Sequence, residues 1–87
     1  MSTTAWIYLG MSLLRLGDAI AAEDAIDQAN ILDNENCLSW AISSLICLQQ
    51  SSKRLTQAKF CLREAIRKGL NDAALLEELG DLFVMEN

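Results

Sequence analysis

Histidine is absent from this 87-residue chain, so its reactive groups reduce to three cysteines, some paired carboxylates and one row of cations. Cys37, Cys47 and Cys61 form no Cys-x-x-Cys pair and have no histidine to complete a zinc site. Cys37 and Cys47 fall on one expected helix, about 15 Å apart along its axis, beyond disulfide reach. We read the cysteines as reduced, small packing residues. Asp24 with Asp27, and Glu78 with Asp81, share a helix face at a spacing of three, which could serve acid–base chemistry. On a helix surface such carboxylates are ordinarily solvated, and no Gly-rich phosphate loop accompanies them. The expectation is a non-enzyme with no cofactor and no metal. Lys59, Arg63 and Arg67 recur every four residues and form one stripe, suited to docking an acidic protein surface or to a plain solvated face.

Composition narrows the partners. Twelve acidic against seven basic residues give a net charge of −5, which disfavours nucleic acid. No apolar run approaches the roughly 20 residues of a membrane span. Met1 to Thr4 lack the basic start of a signal peptide. Protein partners and a cytoplasmic location are the expectation. The 52% hydrophobic content exceeds what a thin layer of helices can hide, so part of it should face other protein.

The elements that position these groups read as helices throughout. Proline is absent, and Gly17-Asp18 and Gly69 to Asp72 combine a left-handed cap with the next N-cap. The expected helices cover 3–16, 18–32, 37–50, 55–68 and 73–85. Their short loops impose antiparallel neighbours. Gly80 lies inside a helical pattern, where glycine costs about 1 kcal/mol against alanine, so close packing is expected there.

The chain also repeats. Trp6 recurs as Trp40, and Leu9-Gly10 recurs as Leu79-Gly80. Gly10, Ser44 and Gly80 share one small site; Ala22 and Ala58 share a second; Ala29 and Ala65 share a third. Trp6, Leu9, Gly10, Leu13, Ala22, Ile26 and Ala29 resemble the tetratricopeptide repeat pattern, as do Trp40, Ser43, Ser44, Cys47, Ala58, Leu62 and Ala65. The resemblance implies an all-α, right-handed solenoid of antiparallel helix pairs. A single domain, 1–87, then holds one repeat at about 3–36, a second at about 37–72, and a half repeat or cap at about 73–87.

Functional residues follow from that resemblance. In the family, the first helix of each repeat lines a concave groove. Mapped here, the groove presents Ile7, Met11 and Leu14, then Ala41, Leu45 and Leu48, then Glu77 and Asp81. It is apolar at one end and acidic at the other, which suits an amphipathic helix or apolar segment and not a terminal carboxylate. Alternatively, Ile7, Met11 and Leu14 pack on a further repeat, and the chain is a structural segment of a longer solenoid. Such a segment would self-associate through exposed ends, at Ile7, Leu14, Leu75 or Val84. The stretch from Ala29 to Asn36 before Trp40, and the ending Leu75-Leu76-Glu77-Glu78-Leu79, look like the C-terminal repeats of cilia- and flagella-associated tetratricopeptide proteins. That implies an axonemal scaffold anchoring neighbouring subunits.

Overall fold

The computed structural model describes residues 1–50 and 54–86, with side chains up to Phe83. Lys53 and the side chains of Val84, Met85 and Glu86 lie outside the described residues.

Five helices follow one another: α1 (Thr3–Arg15), α2 (Ala19–Leu32), α3 (Cys37–Gln50), α4 (Leu55–Arg67) and α5 (Ala73–Glu86). Their ends are set by local chemistry. The Ser2 hydroxyl accepts from the Ala5 N–H, Asp18 from Ala21, and Asp72 from Leu75, each satisfying an otherwise orphaned amide. Asn36 does the same for the Leu38 N–H at the start of α3. Gly17 and Gly69 have φ of 90° and 101°. Both terminate a helix by the same pair of reversed bonds, Gly17 N to Leu14 O with Asp18 N to Leu13 O, and Gly69 N to Ile66 O with Leu70 N to Ala65 O.

The helices pair as α1 with α2 and α3 with α4, and the pairs stack through α2 against α3. The first helices α1, α3 and α5 also lie side by side, with α3 touching both of the others. Helix α3 is therefore packed on several sides, and Ser39, Ala41, Ile42 and Ser44 to Leu48 are all buried. This is the all-α tetratricopeptide architecture, and its core is centred on α3.

Small residues set how closely the paired helices approach. A Cβ on Gly10 would lie 2.7 Å from Ile26 Cδ1 and 3.3 Å from the Ala22 carbonyl oxygen. Ser44 fills the corresponding place between α3 and α4, and its hydroxyl donates to the Ala58 carbonyl at 2.8 Å. Ala22, Ala29, Ala58 and Ala65 are fully buried. Gly80 departs from the expected close packing. It is exposed, and a Cβ there would meet nothing within 4 Å. Among the described residues, no helix crosses α5 at that point.

Polar contacts tie the layers. Ser39 Oγ donates to Asn30 Oδ1 at 2.7 Å, joining α2 to α3. Arg15 grips Glu78 with both guanidinium arms, at 2.6 and 3.1 Å, joining α1 to α5. Trp40 Nε1 donates to the Asn34 carbonyl at 2.7 Å, and its ring meets Phe60 edge-on at 6.1 Å.

Candidate protein-binding surface

The residues expected to line a concave groove divide into two sets. Ile7, Leu14, Ala41, Leu45 and Leu48 are no more than 6% exposed and belong to the hydrophobic core. They do not present an open apolar groove. The reason is the lateral packing of the first helices. With α3 set beside α1 and α5, the stripe that a single helix would offer to a ligand closes into the seams of the stack. Met11 is partly buried against the same core. Glu77 and Asp81, one turn apart on α5, are exposed.

What remains open on this face is shallow. One trough is lined by Gln49, Ala74, Glu77, Glu78, Asp81 and Leu82. A second, between α1 and α5, is lined by Met11, Arg15, Asp72, Ala74, Leu75 and Glu78. Arg15 neutralises Glu78, and the hydrogen bond and charge of Glu78 in turn raise the Arg15 pKa. Glu77 and Asp81 make no ion pair among the described residues. The face is thus acidic with small apolar floors.

The expected cationic stripe on α4 also divides. Arg67 is bound to Glu64 at 2.7 Å. The Arg67 hydrogen bond is the main cause holding the Glu64 carboxyl below the ordinary range. Lys59 and Arg63 are exposed and have no ion-pair partner among the described residues. Only these two remain available to an acidic surface. Lys68 sits 3.4 Å from both Glu35 and Glu64, with its ammonium 5.6 Å from the Trp40 ring centroid.

Sequence reasoning missed a polar crevice between α2, α3 and α4. It is lined by Glu23, Asp27, Asn30, Trp40, Ser43, Ile46, Cys47, Arg54, Gln57 and Cys61. Arg54, at the start of α4, reaches Glu23 at 2.9 Å and also bonds Gln50. Cys47 and Cys61 face each other here. A hydrogen bond from Cys61 lowers the Cys47 thiol to about 7, with Arg54 acting in the same direction against burial. The same bond, together with burial, pushes Cys61 up. Both thiols are at most 5% exposed. Their meeting carried no signal in the sequence, because 14 residues and a turn separate them.

Asp27 lines this crevice, and its pKa is raised by partial burial first and then by Glu23 and Asp24, against Arg54. A carboxyl whose pKa rises on folding costs stability while ionised. The cost is relieved as pH falls through the raised value. Asp27→Asn should therefore raise the melting temperature slightly at pH 7. In thermal melts followed by circular dichroism, the gain should disappear toward pH 4. A gain that persists at low pH would assign the effect to packing and not to charge.

Comparison with known proteins places this arrangement. A family model described as the cilia and flagella-associated protein 70 C-terminal domain matches residues 1–87. The cilia- and flagella-associated protein 70 of Macaca fascicularis is 37% identical over 81 residues, 93% of the chain. The protein of that name from Homo sapiens is 37% identical over the same share. The chain spans only 8% and 7% of the length of these two relatives. No solved structure matches it.

Proposed function

The chain belongs to the family of the cilia and flagella-associated protein 70 C-terminal domain, and from that premise we propose that it is a protein-interaction scaffold within a ciliary or flagellar assembly. The scaffold works by non-covalent docking to a neighbouring axonemal subunit, with no catalytic step and no cofactor. One observation carries this reading beyond the family name. The side-by-side first helices leave a face whose exposed groups include Glu77, Asp81, Asp72, Gln49 and Ala74, with Arg15 tied to Glu78 and the partly buried Met11 and Leu82 at its border. Two unpaired carboxylates one turn apart, beside small apolar floors, suit a basic segment of a partner protein that lays aliphatic stems over Ala74 and Leu82. The partner is thus a peptide, helix or subunit of basic character.

Co-sedimentation with isolated axonemes tests this. The purified chain should pellet with them, and Glu77→Lys with Asp81→Lys should weaken pelleting about tenfold. Both side chains are exposed, so the variant should keep its helical spectrum. Failure of the unaltered chain to pellet removes the ciliary scaffold reading. Equal pelleting of the double variant removes this face as the contact.

A second reading, a structural segment within a longer stack, is favoured by the other end of the molecule. There Trp6, Leu9, Leu13, Ala21 and Ala25, with Asp24, Asp27 and Gln28 beside them, line an open trough between α1 and α2. A preceding repeat would cover such a surface.

A further inference from the structure

The trough between α4 and α5 is a specific place for one more helix. It is an open volume of about 520 Å³ lined by Lys59, Leu62, Arg63, Ile66, Gly80 and Phe83. All six have counterparts one repeat earlier. Lys59, Leu62, Arg63 and Ile66 stand 36 residues after Glu23, Ile26, Asp27 and Asn30. Gly80 and Phe83 stand 36 residues after Ser44 and Cys47. In that earlier repeat, Glu23, Asp27, Asn30 and Cys47 line a crevice whose remaining wall is α4, through Arg54, Gln57 and Cys61. Ser44 lies under α4 and bonds the Ala58 carbonyl. The α4–α5 trough therefore has the surface of a site that α4 occupies one repeat before, and among the described residues it is uncovered.

The equivalence also specifies the occupant. At the filled site, α4 brings Ala58 onto Ser44, with the buried Ala65 and the partly buried Leu62, which also borders the open trough, continuing that side of the helix. Arg54, four residues before Ala58, meets Glu23 of the neighbouring second helix at 2.9 Å. At the open site the residue in the place of Glu23 is Lys59, and that in the place of Asp27 is Arg63. The charge has reversed, so the incoming helix must carry a carboxylate where α4 carries Arg54. Acid there also suits the positive end of a helix dipole. Gly80 requires a small residue opposite it, four positions further on.

We infer that the α4–α5 trough binds an acidic amphipathic helix, seated there as α4 is seated on α2 and α3. Its recognition pattern is a carboxylate, an alanine four residues later, an aliphatic residue four beyond that, and a second alanine three further. This gives the scaffold reading a second contact, distinct from the Glu77 and Asp81 face, and it rests on that reading only for its biological setting.

The pattern occurs in the chain's own α2, as Asp18, Ala22, Ile26 and Ala29. A fluorescein-labelled peptide of residues 18–32 is therefore the probe, titrated with the whole chain by anisotropy at low salt. Binding should weaken at least about tenfold with Gly80→Leu, which fills open space and leaves the fold intact. Lys59→Glu with Arg63→Glu should weaken it similarly, and so should Ala22→Leu in the peptide. Unchanged binding in either chain variant overturns the proposal, as does the absence of binding to the unaltered chain. Light scattering that shows a dimer disrupted by Gly80→Leu also overturns it, by assigning the trough to a second copy. If the peptide fails while axoneme pelleting stands, only the trough is lost. If pelleting fails while the peptide binds, the ciliary reading is lost and the helix site remains.

Discussion

Leu45→Asp should leave the chain unfolded at 25 °C, without its helical spectrum and without a cooperative melt. Leu45 is 1% exposed at the centre of α3, the helix with neighbours on several sides. A carboxylate there would have no described cation and no water. Its burial costs several kcal/mol even after protonation. A domain of this size is held by only about 4–13 kcal/mol. The milder Leu45→Ala should cost about 2–5 kcal/mol and lower the melting temperature by more than about 10 °C. The pair decides what the stripe on α3 is for. If Leu45 lined an open groove, Leu45→Asp would fold normally and lose only a ligand. Native-like circular dichroism and an unchanged melt for Leu45→Asp would restore the groove and refute the closed seam.

Gly10→Leu should lower the melting temperature by several degrees or more, while Gly80→Leu leaves it unchanged or raises it by several degrees. Both glycines lie mid-helix, and leucine gains roughly 0.8 kcal/mol over glycine in helix propensity at either position. Space distinguishes them. At Gly10 even a single Cβ falls 2.7 and 2.9 Å from Ile26 atoms, and Ile26 is itself buried. The Ala22 carbonyl, at 3.3 Å, limits escape on the backbone side. Leucine would wedge α1 from α2, an overpacking cost of about 1–3 kcal/mol or more that outweighs the propensity gain. At Gly80 nothing lies within 4 Å. Thermal melts of the two variants compare identical chemistry in two places that the repeat makes equivalent. Equal destabilisation at both would mean that Gly80 is already covered, and the proposed helix site would be lost with it.

Much of the fold was legible because it depends on neighbours along the chain. Gly17 and Gly69 end helices where the left-handed conformation is needed, and Asp18 and Asp72 cap the next ones. Each involves groups within a few residues of one another, which spacing in the sequence reports directly. The helix pairing was legible for a related reason. A close crossing excludes large side chains wherever it recurs, so Gly10 with Ala22 and Ser44 with Ala58 leave a periodic trace. The tetratricopeptide resemblance rests on the same residues.

The binding surface was legible only in part. An apolar stripe at Ile7, Leu14, Ala41, Leu45 and Leu48 has the same spacing whether it faces a ligand or an adjacent helix. Burial depends on where α1, α3 and α5 lie relative to one another, and stacking decides that. The stripe on α4 looked uniform, yet Glu64 removes Arg67 from it and leaves Lys59 and Arg63. Cys47 and Cys61 meet across two helices whose register no local pattern reveals. The sequence by itself determined the helices, their caps, the repeat and the sites of closest approach, because these obey short-range sterics. The tertiary structure alone decided which apolar face is core, which charges stay unpaired and which small residue lies uncovered, because each depends on helices brought together from distant parts of the chain.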